Sequence, residues 1–255
     1  MGYMSDRSVE VSALIDDYTT ILKGIDINAF DLGQDKYSGV FLPVPFDEYW
    51  SAEPRIMIVG RETAGWNTNN GKNTMARALG LVDGVAVKDV VDEAIRRYRK
   101  HLETGPDGKL VTKSQSRFKQ YFFKLAKEVG VDPKAIVYAN LFAWDYNQKT
   151  PRTRPEQELN EIASISGRLL AAQIRRLRPD VLVFAAGVSG IDKYIKNLFD
   201  EHFDGYENSA PVIPGRLWEF KAANAICYRI AHPRASHGHG EYRDVVIQRI
   251  KGLIL

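Results

Sequence analysis

Residues 55–65 read RIMIVGRETAG, an apolar run that ends at Gly60 and passes directly into a short polar loop. Further apolar runs lie at residues 136–143 (IVYANLFA), 181–187 (VLVFAAG) and 225–232 (AICYRIAH). None of these runs alternates clearly between apolar and polar residues, which is typical of strands that are covered on both faces of a sheet. Together they predict a central, mostly parallel four-stranded sheet.

Helical patterns separate the apolar runs. They occupy residues 9–22, 87–102, 114–129, 155–177, 188–203 and 242–254. Strands that alternate with helices indicate an α/β fold of three layers, α/β/α, with the sheet in the middle. We expect one domain over residues 1–255, with an N-terminal helical extension at residues 1–50 and a helical insertion at residues 81–130.

The composition is that of an ordinary folded protein. The 255 residues are 44% hydrophobic and 26% charged, and the net charge of +3 gives a slight bias toward polyanionic partners. The single cysteine, Cys227, excludes an internal disulfide and a multi-cysteine metal site, and it favours a reducing, cytoplasmic location. Neither a secretory signal nor a membrane-spanning run is evident in the sequence.

The loops that follow the predicted strands hold the residues of chemical interest. They read GRETAGWN (60–67), ANLFAWD (139–145), AAGVSG (185–190) and AHPRASHGHG (231–240). Ligands of open parallel sheets bind beyond the carboxyl ends of the strands, so these loops predict the position of a functional site.

Three side chains in these loops are candidates for chemistry. The Glu62 carboxylate could polarise water or stabilise a cation, and His232 could donate a hydrogen bond to developing negative charge. Asn140 is an amide within an apolar strand, which suits recognition of a base edge. Each also fits a structural role, as part of a turn, a loop cap or a strand end. The neighbouring His237 and His239 raise the question of zinc, but no paired cysteines or HExxH motif accompany them.

Taken together and in this order, the loops resemble those of the uracil-DNA glycosylase superfamily. The loop at Glu62 is similar to the family's water-activating motif, and Asn140 to the strand-borne asparagine that reads the flipped base. His232-Pro233 resembles the family's DNA-insertion loop. Residues 150–187, which end in LRPDVLVFAAG, resemble the long helix and third strand of its iron–sulfur branch. The resemblance runs from about residue 55 to the C-terminus. It implies a monomeric, monofunctional N-glycosyl hydrolase that flips a base out of DNA and uses neither metal nor cofactor.

The resemblance also implies a role for each matching residue. Glu62 and His232 would be catalytic. The base would be bound by Asn140, Gly60, Arg61, Ala64 and Trp66. The DNA would be bound by Arg234, Ser236, Arg152, Arg154 and Lys149.

Several positions depart from the family's pattern. Thr63 stands where the family has proline, and Arg234 replaces the small serine that follows His-Pro. Cys227, as the lone cysteine, rules out the four-cysteine cluster of the iron–sulfur branch. Thr74 and Met75 occupy the region of the stacking phenylalanine, so Trp66 or an aromatic residue of the insertion would have to replace it.

Ala64 stands where the uracil-specific branch has a tyrosine that blocks substituents at C5 of the base. The smaller residue leaves room for a uracil-like or C5-modified pyrimidine, which fits either base repair or defence against modified phage DNA. Another side chain filling the gap is the alternative.

Two other functions remain open at this point. One is a non-catalytic protein of the same fold that binds DNA or modified bases, and the other is an unrelated α/β hydrolase or nucleotide-binding enzyme. The basic run at residues 96–100 (RRYRK) is interpreted as a solvated helix face, because acidic residues lie near it.

Overall fold

The computed structural model describes residues 3–67, 74–236 and 238–254. The helices are α1 (Tyr3–Lys23), α2 (Asp47–Trp50), α3 (Met75–Ala78), α4 (Val87–Tyr98), α5 (Arg117–Val129), α6 (Glu156–Leu177), α7 (Asp192–His202) and α8 (Gly240–Lys251). The strands are β1 (Ile56–Gly60), β2 (Ile136–Asn140), β3 (Val181–Phe184), β4 (Glu207–Asn208), β5 (Leu217–Ala222) and β6 (Ala225–Ile230).

The strands form one sheet in the order β2-β1-β3-β6-β5-β4. β1 pairs with β3, and β3 with β6, in parallel, so that Ile58 lies beside Val183 and Val183 beside Tyr228. β5 runs antiparallel to both β6 and β4. The α/β class is therefore confirmed, but the predicted four-stranded sheet is wrong in size, because the described residues form a mixed sheet of six strands.

Of the missed strands β4 and β5, β5 forms a hairpin with the predicted β6 through an inconspicuous turn. β5 and β6 are joined by Ala223 and Asn224, which have φ angles of +50° and +61°. Two-residue hairpin turns of type I′ have positive φ at both central positions, for which the sequences Asn-Gly and Gly-Gly are typical. Because the second position holds asparagine and the first alanine, the turn carries no glycine signal, and β5 escaped prediction.

The chain folds into two compact units, each assembled from three segments. The first takes Met1–Val44, Glu62–Arg99 and Asn140–Arg176, and the second takes Pro45–Arg61, Lys100–Ala139 and Leu177–Leu255. The predicted N-terminal extension (1–50) and the predicted insertion (81–130) are each divided between the two units.

In the second unit, helices cover both faces of the sheet. Val183 and Tyr228 of β3 and β6 share a buried cluster with Phe122 of α5 and Val246 of α8. Phe184, which follows Val183 and so points to the opposite face, lies 5.9 Å from Phe199 of α7 between ring centroids. The apolar residues of β1, β3 and β6 are thereby removed from water on both sides, as their unbroken apolar sequences indicate.

In the first unit, the long helix α1 contacts both the segment that contains Pro43 and the helix α6. The Tyr18 hydroxyl of α1 donates to the Pro43 carbonyl over 2.5 Å. Arg176 at the end of α6 donates to Asp17 of α1 over 2.8 Å. None of the helices within the described residues has the length and apolar character needed to cross a membrane.

Candidate functional site

Asp145 organises the loop that follows β1. Its side chain is fully buried, and its Oδ2 accepts hydrogen bonds from the Thr63 hydroxyl at 2.6 Å and from the Gly65 and Trp66 amides at 2.9 and 3.3 Å. Its Oδ1 accepts from the Gln148 amide at 3.0 Å. A buried carboxylate needs several donors to offset its lost hydration, and here the donors come from two separate loops. The bonds fix the backbone that immediately follows Glu62.

The backbone of Asp145 is tied down as well. The Asp145 amide donates to the Ser38 hydroxyl at 3.0 Å, and the Ser38 amide donates to the Asp145 carbonyl at 3.0 Å. Thr63, at the position where the resemblance leads us to expect proline, thus has a structural use for its hydroxyl. Sequence reasoning missed Asp145, whose only signal is an acidic residue at the end of the apolar run LFAWD.

The candidate residues of the first loop differ in exposure. Glu62 is half-buried and Ala64 is exposed, and both lie in the first unit. Gly60, the buried last residue of β1, and Arg61, which is half-buried, lie in the second unit. The Gly65 amide of the same loop donates to Asp145.

Trp66 is packed within the first unit. The centroid of its ring lies 4.8 Å from that of Phe41 in an edge-to-face contact, and the Arg97 guanidinium lies 5.1 Å from the ring centroid. Its carbonyl accepts from the Gly39 amide at 3.0 Å. The ring is therefore held in one place by its neighbours, which a stacking surface for a base requires. Thr74, which lies where the family has its stacking residue, instead caps α3.

Asn140 is the last residue of β2 and is only 5% exposed. Neither the nitrogen nor the oxygen of its carboxamide has a hydrogen-bond partner among the described residues. Leaving a buried polar group unpaired costs roughly 1–3 kcal/mol, so such groups are rare and point to a missing partner. A ligand that offers a donor and an acceptor side by side would satisfy both atoms.

His232 follows β6 and has a defined tautomer. Its Nδ1 accepts a hydrogen bond from the Arg234 amide at 3.1 Å, which leaves Nε2 as the protonated, donating nitrogen of the neutral ring. Burial, and then the charges of Arg61, Arg234 and Arg243, lower the pKa of His232 to about 4. The ring is therefore a neutral hydrogen-bond donor at physiological pH.

Arg243 of α8 holds the loop after β6. Its Nη1 donates to the carbonyls of His232, Pro233 and Ala235 at 3.4, 3.5 and 3.0 Å. The Ala235 amide also donates to the His232 carbonyl at 2.7 Å. Three carbonyl oxygens of one turn thus accept hydrogen bonds from the Arg243 guanidinium, and this fixes the loop that carries His232.

The low pKa of His232 makes stability depend on pH. The unfolded chain binds a proton at this residue near pH 6.5, whereas the folded protein does so only near pH 4. The contribution of His232 to stability is therefore constant above pH 6.5 and falls as the pH drops from 6.5 to 4. We expect a loss of about 1–2 kcal/mol, since partial exposure of the ring screens part of the effect. Urea unfolding at pH 7 and 4.5 should show a smaller loss for His232→Gln than for wild type, and equal losses would contradict the assignment.

The predicted DNA-binding residues are placed differently from one another. Arg234, Ser236 and Lys149 are exposed, and Arg152 is half-buried. Arg154 is bound within the protein: its Nε donates to the buried Glu158 at 2.7 Å, and its guanidinium stacks 4.0 Å from the centroid of the Tyr146 ring. Its side chain is only 15% exposed. Arg154 was predicted to bind DNA, but its i, i+4 spacing from Glu158 could have indicated this ion pair.

The described residues contain no group of three or more histidine, cysteine, aspartate or glutamate side chains that could hold a metal ion. His232 and His239 are among these residues, but His237 lies outside them. The chain matches no known protein-family model and no curated protein.

Proposed function

We propose that the protein is a monofunctional DNA glycosylase. It would hydrolyse the N-glycosidic bond of a flipped-out uracil-like or C5-modified pyrimidine in DNA and leave an abasic site. The observation that carries the proposal is the Asn140 carboxamide, which is buried at the end of a strand with neither polar atom paired among the described residues. The Watson–Crick edge of a pyrimidine offers a donor beside an acceptor, which would pair with both atoms.

The bond cleavage needs stabilisation of charge on two sides. As the C1′–N1 bond breaks, its electron pair goes to the base, and positive charge develops on the sugar. Glu62 would stabilise that cation and accept a proton from the water that adds to C1′. His232 would keep its proton and donate a hydrogen bond from Nε2 to the base oxygen on which negative charge develops. A neutral donor suits this role, and both the low pKa of His232 and its fixed tautomer support it.

The fold supports the proposal at a coarser level. A parallel core of β1, β3 and β6, with candidate residues after the ends of β1, β2 and β6, fits the uracil-DNA glycosylase arrangement that the motifs resemble. Arg234, Ser236, Arg152 and Lys149 would contact the DNA, mainly its phosphates. A monomer that acts without metal or cofactor completes the proposal.

Base release from defined DNA tests the proposal. Purified protein would be incubated, with chelator present, with end-labelled duplex and single-stranded DNA carrying one target base. The target bases would include uracil, hydroxymethyluracil, hypoxanthine, xanthine and phage-type modified cytosines. Alkali then converts abasic sites to strand breaks. We expect cleavage at one or more of the pyrimidines, with Glu62→Gln and His232→Ala each slower by about 10²-fold or more.

Matched variants separate chemistry from folding. Glu161 on α6 has no proposed role in catalysis, and its carboxylate accepts a hydrogen bond from the Asp26 amide. Glu161→Gln should therefore leave the rate of base release unchanged. Cleavage that survives in both Glu62→Gln and His232→Ala would overturn the assigned roles.

A non-catalytic DNA sensor of the same fold is the second candidate. The exposed Arg234, which stands where the resemblance leads us to expect a small residue, favours it, because a cation there adds affinity for phosphate without aiding bond cleavage. Salt-dependent DNA binding without release of any base in the panel would favour this function over the glycosylase. The absence of DNA binding would contradict both.

Ala64 predicts the range of substrates. Because its side chain is small and exposed, we expect the wild type to process hydroxymethyluracil as well as uracil. Ala64→Tyr should reduce kcat/KM for hydroxymethyluracil by about 10- to 100-fold relative to uracil, since the ring would exclude a C5 substituent. Ala64→Ser serves as the control of unchanged size class. An unaltered ratio in Ala64→Tyr would show that another side chain limits the space.

A further inference from the structure

The acidic residues of α4 are already engaged with other groups. Asp89 accepts from the Ala86 amide at 2.9 Å and so caps the start of the helix. Asp92 pairs with Lys88 at 2.8 Å. Glu93 accepts from Arg77 at 2.7 Å and from the Asn67 side chain at 2.8 Å. These carboxylates therefore do not neutralise the basic end of the same helix.

The basic end of α4 carries Arg96, Arg97 and Arg99, and all three side chains are exposed. Among the residues that the structure describes, no carboxylate lies within ion-pair distance of any of them. The exposure of these side chains agrees with the interpretation of the run as a solvated helix face, but the nearby acids do not pair with it. A cluster of uncompensated arginines attracts polyanions.

One edge of α4 lies against the loop that follows Glu62. Glu93 holds Asn67 at 2.8 Å, and Arg97, one turn further along the helix, lies over the Trp66 ring at 5.1 Å. Stacking uses the flat face of the guanidinium and leaves its N–H groups, which lie in the plane, able to bind a phosphate. Arg99 is two positions beyond Arg97 and points roughly 160° away around the helix.

We propose that Arg97, assisted by Arg96, binds a backbone phosphate of the DNA strand that contains the target nucleotide. This inference rests on the proposed function and assigns a purpose to the start of the insertion. Arg97 would clamp the strand beside the loop that carries Glu62, while its stacking on Trp66 keeps the guanidinium in place. Arg99, with the same charge but on the other edge of the helix, would not take part.

Fluorescence anisotropy with labelled DNA that lacks any target base tests the contact, measured between about 50 and 200 mM salt. We expect Arg97→Gln to weaken binding about 3- to 10-fold and to lower the slope of log K against log salt by about 0.9. The double variant Arg96→Gln/Arg97→Gln should lose more. Arg97→Lys, which keeps the charge, should retain the wild-type slope, and Arg99→Gln should bind within about twofold of wild type.

The outcomes distinguish this inference from the proposed function. An unchanged affinity and slope in Arg97→Gln, or an equal loss in Arg97→Gln and Arg99→Gln, would overturn the inference while leaving base release intact. Retention of the expected Arg97 effect in a protein that releases no base would support the DNA contact and contradict the glycosylase. Absence of DNA binding by the wild type would overturn both.

Discussion

Asp145→Asn is expected to lower both the stability of the protein and the rate of base release. The carboxylate accepts four hydrogen bonds in a fully buried position, and an amide in its place would replace one of the two oxygens by an NH2 group that faces the donors bound there. We expect the free energy of unfolding to fall by about 2–4 kcal/mol. We also expect kcat to fall by about 10- to 100-fold with a smaller change in KM, because the backbone that follows Glu62 would lose its fixed position.

Urea unfolding and single-turnover base release measure the two effects of Asp145→Asn. Thr63→Val removes only one of the four bonds, so its losses should be smaller and in the same direction. Asp132→Asn is the matched control, since it changes an exposed aspartate that caps a short helical turn, a task that asparagine performs equally well. A folded Asp145→Asn protein with wild-type kcat would contradict a positioning role for this carboxylate.

Asn140→Leu is expected to change stability and activity in opposite directions. Leucine has nearly the shape of asparagine but lacks the two polar atoms that are buried without partners among the described residues. Their removal should raise the free energy of unfolding by about 1 kcal/mol or leave it unchanged. Base release should fall by about 10²-fold or more, because the proposed base-binding position would lose its donor and acceptor.

A second buried amide provides the control for Asn140. Gln173 on α6 is only 3% exposed, so its side chain is part of the buried interior, and no role in binding the base is proposed for it. Gln173→Leu should therefore alter stability while leaving base release as it was. If Asn140→Leu instead lost stability and kept its activity, the carboxamide would be a structural group and its assignment to the base would be wrong.

The strands that sequence predicted well are those whose burial is complete. β1, β3 and β6 were recognisable because each is an unbroken apolar run, and both faces of these strands are covered. The run at residues 136–143 was predicted too long, since the strand ends at Asn140. The residues beyond it are just as buried, but the Ala143 amide donates to the Ser166 hydroxyl at 3.0 Å and not to a strand. The hydrophobicity of a sequence predicts which residues are buried, but it does not predict which backbone groups they bond to.

Residues of the candidate site were found when their own chemistry was unusual for their place. Asn140 stood out as an amide in an apolar strand, and His232 as a strand-end histidine. Asp145 was missed because its role depends on bonds to Thr63 and Gly65, which are 82 and 80 residues away along the chain. Arg97 was interpreted as part of a solvated helix face, and its side chain is exposed, but its contact with the Trp66 ring follows only from tertiary structure.

The central claim is that the protein breaks a glycosidic bond, and detection of the free base tests it most directly. Wild type and Glu62→Gln would be incubated with DNA carrying single modified pyrimidines, and the filtrate would be analysed by mass spectrometry while abasic sites are counted in the DNA. The account predicts one free base per abasic site with wild type, and release slower by about 10²-fold or more with Glu62→Gln. DNA that is bound in a salt-dependent manner yet yields neither free base nor abasic sites, with any of the pyrimidines, would contradict it.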